Sequence, residues 1–267
     1  MNDLSPANLR TAVAQVPRPS SCSDAEWDLR VKLAAAYRLV DHFGWCELIY
    51  GHLTAKVPGP DKHFLINPYG LAYDEVTASN LVKIDVEGNK IDADNPYPVN
   101  QAGFVIHSAV HMAHSDLHKV VMHTHSRSGM AIAATKEGVL PISMGSTAFV
   151  DRLSYHDYEG VSLYLEERDR IVESLGDNHA MILRNHGLLT TGRTVAEAFL
   201  WLYRLERAAQ VQIDAGSAGT LNVMGGNVAK KSGEDVNAFA AIEDGYGELE
   251  FAALMRRMDR IDPGFRN

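Results

Sequence analysis

A chain of 267 residues in which 46% are hydrophobic can bury a substantial core, and this length predicts a single globular domain. The 25 Lys and Arg residues are outnumbered by 34 Asp and Glu residues, and the net charge of −9 argues against a broad basic surface for nucleic acid. No apolar run approaches the roughly 18 residues that a membrane span requires, and the N-terminus lacks the pattern of a signal peptide. We therefore expect a cytoplasmic protein that binds neither nucleic acid nor membrane.

Cysteine usage limits the kind of metal site that this chain can form. Cys22 and Cys46 are too few for a disulfide framework or a cysteine-based metal site. Any metal ion is therefore expected on His, Asp or Glu. Histidines cluster between His107 and His125, which gives that segment an unusual capacity for ligands.

The N-terminal part divides into an arm and the start of a domain. Proline and serine are frequent in residues 1–23, which predicts a flexible arm. Apolar side chains then recur at helical spacing, with Ser23 or Asp24 as the N-cap and Gly44 as the stop. The domain is expected to span 24–267. Short β-prone stretches separated by turn residues predict strands at 48–57 and 64–67 and a hairpin at 81–91.

The rest of the chain alternates helical periodicity with short apolar runs. Helices are predicted at 104–114, 128–134, 158–175, 194–213 and 247–261, and buried strands at 119–125 and 180–183, the second resuming at 188–189. The Gly- and Ser-rich segment 215–231 is predicted to be a flexible connection. Because the order is not the regular strand–helix–strand order of a parallel sheet, we expect an α/β fold with a mixed central sheet flanked by helices.

Three histidines follow predicted strands and form a candidate metal site. His123 and His125 are separated by one residue, so on a strand both side chains point to the same face. His186 follows a second apolar strand, and Gly187 after it allows a close backbone approach. Three neutral imidazoles bind Zn²⁺, Mn²⁺ or Fe²⁺ and leave coordination positions for substrate or water, as in a catalytic site.

Two sequence blocks around these histidines resemble a known family. The runs 107–126 (HSAVHMAHSDLHKVVMHTHS) and 183–189 (LRNHGLL) look like the metal-binding blocks of the class II aldolase/adducin family, and 64–71 with 81–85 resembles a third block. This resemblance implies a three-layer α/β/α sandwich around a mostly antiparallel sheet. It also implies one divalent metal ion per subunit, with Zn²⁺ as the first expectation, and a homotetramer with active sites at the subunit interfaces.

The sequence departs from the sugar-phosphate aldolases of that family at the acid/base position and at the phosphate-binding segments. Their Ser-Ser-Glu-Trp motif reads Gln-Ala-Gly-Phe here, so Gly103 stands at the Glu position and Gln101 at a Ser position. Their Gly-Asn-x-Ser and Pro-Ser-Gly segments read Gly-His-Leu-Thr, containing His52, and Pro-Tyr-Gly, ending at Gly70. The pattern Gly-Phe-x-Ile-His resembles the adducin-like branch, whose metazoan members are cytoskeletal.

Substrate contacts are expected from His52, Gly70, Gln101 and Arg184. For Arg184 two interpretations stay open, a bidentate grip on a substrate carboxylate and an ion pair at the sheet edge.

Without the Glu, another group has to carry protons. The candidate catalytic residues are Tyr155, His156 and Tyr246, the last by reaching a neighbouring subunit's site; Tyr158, His52 and His107 are further candidates.

Each candidate has a structural alternative. His107 and His111 lie one helical turn apart. For both we favour packing in the core or a hydrogen bond that supports a metal ligand. His114 and His118 are predicted to be solvated, and Tyr155 and Tyr158 can simply cover the core.

Two functions fit these observations. The first is a metal-dependent lyase that catalyses aldol cleavage or decarboxylation of a small hydroxy-carbonyl or hydroxy-acid substrate other than a typical sugar phosphate. The second is an adducin-like binding or scaffold module that retains the metal site without turnover. The metal site favours the lyase. A bound metal ion can act as an electron sink, and decarboxylation needs an electron sink more than a strong base.

Overall fold

The computed structural model describes residues 13, 15–113, 116–160, 167–241 and 245–267, with the backbone alone at 101–105. Within these residues the helices are α1 (Asp24–His42), α2 (Gln101–Ala113), α3 (Arg127–Ala133), α4 (Glu167–Leu175), α5 (Val195–Ala218), α6 (Gly226–Ala240) and α7 (Glu248–Ile261). The strands are β1 (His52–Lys56), β2 (Phe64–Ile66), β3 (Val82–Ile84), β4 (Val120–Thr124), β5 (Leu153–His156), β6 (Ala180–Leu183) and β7 (Gly187–Gly192). No helix in the described ranges is both long and apolar enough to cross a membrane.

The seven strands form one sheet in the order β3-β2-β1-β4-β7-β6-β5. Every neighbouring pair is antiparallel except β5 and β6, which are parallel. The predicted mostly antiparallel sheet is therefore confirmed. The two central strands, β4 and β7, are the ones that end beside the predicted metal ligands.

Helices cover both faces of the sheet, as the predicted three-layer sandwich requires. Side chains of β4 alternate between the two layers: Met122 packs in the core with α1, α5 and α7, whereas Val121 packs with α2 and α4. Because alternate strand residues share a face, His123 faces the α2 side and Thr124 faces the α5 side. The predicted ligand His123 is therefore surrounded by side chains of the α2 layer, and its neighbour Thr124 by side chains of the α5 layer.

Helix ends follow the predicted capping residues. The hydroxyl of Ser23 accepts a hydrogen bond from the Glu26 amide at the start of α1, and Thr194 caps α5 in the same way. Each cap satisfies an amide that the helix leaves without a partner. Gly44, with φ of +69°, follows the end of α1.

The flexible connection predicted at 215–231 is wrong at both ends, and 219–225 is the part that links two helices. Helix α5 continues to Ala218, and α6 begins at Gly226. Small residues bring α6 close to the segment 145–149, since a Cβ at Gly233 would lie 2.3 Å from the Thr147 carbonyl oxygen. Packing of this small-residue face outweighs the low helix propensity of glycine and serine.

The helix predicted at 158–175 is shorter than expected in the described residues. Tyr158 to Gly160 are not helical, and α4 begins at Glu167 after a stretch outside the described residues. Gly160 has φ of +117°, a conformation incompatible with a helix.

The described end of the predicted N-terminal arm lies against the domain. Val16 packs beside the small core around β2 and β3, and the Arg18 guanidinium lies 5.1 Å from the centre of the Trp27 ring. A boundary at residue 23 and flexibility of the preceding arm stay predictions.

Candidate metal centre

The three predicted metal ligands lie where two central strands meet. His123 is the second-to-last residue of β4, and His125 follows its end. His186 lies in the tight turn between β6 and β7. Thr124 pairs with Leu188 across β4 and β7, so the turn lies beside the end of β4.

Glycine is required at the end of this turn. A Cβ at Gly187 would lie 2.4 Å from the carbonyl oxygen of Thr124, closer than any side chain can approach. Asn185 adopts a left-handed conformation with φ of +57°, which asparagine tolerates better than most residues. The sequence Asn-His-Gly thus fits a turn that presents a histidine against a neighbouring strand.

The Nε2 atoms of the three histidines converge. The distance from His123 Nε2 to His125 Nε2 is 2.8 Å, and from His125 Nε2 to His186 Nε2 it is 3.0 Å. The Nδ1 atom of His123 donates to the Leu188 carbonyl oxygen at 2.9 Å, and that of His125 to Glu47 Oε2, also at 2.9 Å. With a proton on each Nδ1, the Nε2 lone pairs of the two rings point at each other.

A divalent cation held by the three rings would relieve this contact between lone pairs. Metal–nitrogen bonds of about 2 Å bring ligand nitrogens to roughly 3 Å from one another, which is the spacing here. Burial lowers the pKa of His186 to about 4, with repulsion by His125 adding to it, and burial holds the pKa of His123 well below its usual range. Both rings are therefore neutral near pH 7, as metal ligands must be.

Glu47 at this site was not predicted from the sequence. Its carboxylate holds the outer nitrogen of His125, the arrangement by which a carboxylate commonly orients a metal-binding imidazole. Glu47 lies before an exposed tip where Leu48 has φ of +52° and Tyr50 bridges back to Glu47. No local pattern links this tip to a histidine far along the chain, so the sequence offered no signal for it.

His52 lies beside the metal centre, paired with His123 across β1 and β4. Its Nδ1 donates to Asn67 Oδ1 at 3.1 Å, and its Nε2 lies 3.4 Å from the Asn100 amide nitrogen. Burial lowers the pKa of His52 to about 4. The ring is a neutral group fixed between two amides, and substrate contact by His52 stays a prediction.

A second group of three histidines, here called the buried histidine cluster, consists of His107, His111 and His118. His111 Nδ1 donates to the His118 carbonyl oxygen at 2.9 Å, so its Nε2 accepts from the Thr54 hydroxyl at 2.7 Å. The Thr54 oxygen then accepts from His107 Nδ1, also at 2.7 Å. The remaining Nε2 of His107 is buried and has no hydrogen-bond partner in the described part of the chain.

The prediction that His118 is solvated is wrong, because only 1% of its surface is exposed. Its Nδ1 accepts a hydrogen bond from the Thr191 hydroxyl at 2.7 Å. The loop after α2 folds onto the sheet and carries this ring inward. His114 lies outside the described residues.

Tyr155 and Arg184 contact each other rather than the metal centre. The Arg184 guanidinium stacks 4.6 Å from the centre of the Tyr155 ring, donates to the Thr135 carbonyl oxygen at 3.0 Å and lies 3.6 Å from Asp157. The Tyr155 hydroxyl accepts a hydrogen bond from the Val139 amide. Arg184 thus has the ion pair that was one of its two interpretations.

His156 and Tyr246 have hydrogen-bond partners of their own. His156 Nδ1 lies 2.9 Å from the Ser174 hydroxyl. The Tyr246 hydroxyl donates to Asn237 and accepts from Arg204, while its ring stacks on Trp201 at 4.7 Å. No described contact joins either residue to the metal-centre histidines of the same chain.

The remaining predicted residues differ in how much is described. Gly70 lies in an exposed turn with φ of +102°, and the side chain of Gln101 lies outside the described part of the chain. Tyr158 is 51% exposed, and its ring centre lies 6.3 Å from that of His186. The Tyr158 ring therefore lies next to one of the predicted metal ligands.

Residues 31–213 match the family described as Class II Aldolase and Adducin N-terminal domain. The chain belongs to the class II aldolase and adducin family. An aldolase II superfamily protein from Pseudomonas syringae is 48% identical, with a TM-score of 0.84 over 92% of this chain and 97% of that one. An L-fuculose 1-phosphate aldolase from Glaciozyma antarctica is 27% identical, with a TM-score of 0.79 over 98% of this chain and all of that one. Mouse alpha-adducin is 42% identical over 89% of this chain, which spans 34% of the adducin.

Proposed function

We propose that this member of the family is a metal-dependent lyase that cleaves a carbon–carbon bond in a small unphosphorylated hydroxy-carbonyl or hydroxy-acid substrate, by aldol cleavage or decarboxylation. The observation that carries the proposal is the convergence of Nε2 atoms at 2.8 and 3.0 Å, with the rings of His123 and His125 anchored through Nδ1. His123, His125 and His186 would hold one divalent ion, with Zn²⁺ first and Mn²⁺ or Fe²⁺ as alternatives. When bound, such an ion polarises neighbouring substrate oxygens.

We assign proton transfer to the Tyr158 hydroxyl. Either reaction breaks a carbon–carbon bond and leaves an electron pair on carbon, and that carbon then takes up a proton. Tyr158 is half exposed beside His186, whereas the Tyr155 and Tyr246 hydroxyls already have partners elsewhere. Tyr155, His156 and Tyr246 stay alternatives, the last through a neighbouring subunit. A Tyr158→Phe variant that binds metal normally and loses turnover supports this assignment.

The charges around the metal centre support an unphosphorylated substrate. Among the described residues, the neighbouring groups that shift the pKa values of His123 and His186 are other histidines, a backbone carbonyl and Glu47, and none of them is Lys or Arg. The nearby cation, Arg184, is bound to carbonyl oxygens and Asp157. Phosphate recognition in proteins usually relies on Arg, Lys or clustered backbone amides.

Mouse alpha-adducin supports a second candidate, a binding module that keeps the metal without turnover. Its similarity to this chain extends over 89% of the residues. The two candidates differ in turnover and share the metal.

Metal analysis followed by an activity screen tests the proposal. The purified chain should contain close to one equivalent of divalent metal and should cleave or decarboxylate unphosphorylated hydroxy acids. Turnover confined to sugar phosphates would show the substrate assignment to be wrong. Stoichiometric metal without turnover on any of these compounds would favour the binding module, and a folded chain with no affinity for metal would overturn both.

Two further properties stay proposals. One is a cytoplasmic location, and the other, which rests on family membership, is a homotetramer in which the small-molecule site lies between subunits. Light scattering of the purified protein measures the second directly.

A further inference from the structure

Behind the metal ligands, a buried acidic side chain reaches the segment that carries them. Glu206 of α5 has no exposed surface. Its carboxylate accepts hydrogen bonds from the hydroxyls of Thr124 and Ser128, at 3.4 and 2.8 Å, and the nearby Ser126 hydroxyl lowers its pKa. Within the part of the chain that the structure describes, no Lys, Arg or His pairs with Glu206.

The three hydroxyls alternate with the residues around His125. Residues 124, 126 and 128 supply them, and residues 123 and 125 supply two metal ligands from the opposite face. Strand alternation sends Thr124 towards α5 and His123 towards α2, and the start of α3 places Ser126, its N-cap, and Ser128, in its first turn, on the α5 side. The turn between β4 and α3 is thus held from one side by a carboxylate and carries histidines on the other.

When Glu206 is ionised, the hydroxyls donate to it. Ser126 accepts from the Gly129 amide at 2.9 Å as the N-cap of α3, which leaves its proton free to donate to the carboxylate. A carboxylate accepts several such bonds and donates none. Burial raises the pKa of Glu206, and the three hydroxyl bonds oppose that shift.

Burying an unpaired carboxylate costs free energy, and apolar residues of similar size would avoid that cost. Leu205 and Ala209 beside it are ordinary members of the core between α3 and α5. An acidic group at this one position therefore calls for a role other than filling space.

We propose that Glu206 is a positioning residue that fixes the turn carrying His125, through the hydroxyls of Thr124, Ser126 and Ser128, in the conformation that binds the metal. This inference rests on the proposed metal centre. Glu47 orients the His125 ring directly, by a hydrogen bond. Glu206 would act indirectly, by holding the residues on either side of His125.

Competition between the protein and a chromophoric chelator for Zn²⁺, together with the visible spectrum of the Co²⁺-loaded protein, tests the inference. Glu206→Gln should weaken metal binding about 10-fold, as changes behind metal ligands commonly do, and should alter the Co²⁺ spectrum. The control is Glu197→Gln on the same helix, because Glu197 binds Arg193 at the far end of β7. That variant should leave affinity and spectrum unchanged.

A second variant keeps the test decisive if Glu206→Gln fails to fold. Ser128→Ala removes one of the same hydrogen bonds at a half-buried position and should weaken metal binding a few-fold with the same spectral change. Wild-type affinity and spectrum in a folded Glu206→Gln variant, or in Ser128→Ala where the first does not fold, would overturn the inference alone. A wild-type chain that binds no metal would overturn the proposed metal centre and the inference with it.

Discussion

The metal centre and the buried histidine cluster each contain three histidines, and both lie on or beside strands β1 and β4. In the buried cluster a hydroxyl and a carbonyl oxygen are the partners of the rings: Thr54 joins His107 to His111, and the His118 carbonyl oxygen accepts the Nδ1 proton of His111. In the metal centre the ring nitrogens meet directly. Grouped histidines therefore indicate a metal only where the outer hydrogen bonds leave lone pairs pointing at one another.

The largest expected effect separates the two groups by metal content. His186→Ala should reduce bound metal from one equivalent to none detectable, because two imidazoles leave too few protein ligands for tight binding. His111→Gln should keep its metal, since His111 lies in the buried histidine cluster. Atomic absorption on the two folded variants measures this. Equal metal loss in both would remove the distinction between the groups.

A large effect on stability is expected at Thr54. Thr54→Val keeps the side-chain shape but leaves His107 and His111 without a partner for one nitrogen each, which should destabilise the fold by about 3 kcal/mol. Metal stoichiometry should not change. Urea unfolding followed by circular dichroism measures the loss. Unchanged stability would mean that the buried histidine cluster is not held through this hydroxyl.

A smaller effect is expected from acid. Burial lowers the pKa of His111 to about 3 in the folded protein, from 6.5, so the folded state resists protonation of this ring. Its contribution to stability is complete above pH 6.5 and is lost as pH falls towards 3, with about 2 kcal/mol gone at pH 5. The unfolding free energy of the wild type should therefore fall more steeply than that of His111→Gln between pH 7 and 5. Parallel curves would contradict the burial argument.

The smallest expected effect concerns Glu47. Glu47→Gln should weaken metal binding about 10-fold, because the amide oxygen orients His125 without the negative charge that strengthens the ligand. Asp41→Asn is a matched control, because Asp41 is an exposed acidic residue that contacts Cys46, the residue before Glu47. Chelator competition distinguishes them. Equal affinities for Glu47→Gln and the wild type would leave Glu47 without a role at the metal.

Local spacing was sufficient to predict that the three histidines converge and where most helices and strands lie. His123 and His125 share a face because a strand alternates, and His186 precedes a glycine that the close approach of two strands requires. The family resemblance supplied the sandwich and its antiparallel sheet.

Features that depend on distant packing could not be predicted in this way. Glu47 reaches His125 from an exposed tip, His118 is buried by a loop that folds back, and α6 is stabilised by small residues against the segment 145–149. In each of these cases a partner far away in the chain decides the outcome.

Long-range ¹H–¹⁵N NMR of the histidine rings, recorded before and after one equivalent of Zn²⁺, tests the central claim most directly. The account predicts that the Nε2 signals of His123, His125 and His186 shift to values typical of metal-bound nitrogen, while Nδ1 of His123 and His125 keeps its proton. The signals of His107, His111 and His118 should stay in place. Absence of a shift at the first three rings, or an equal shift in the buried histidine cluster, would contradict the assignment of the metal centre.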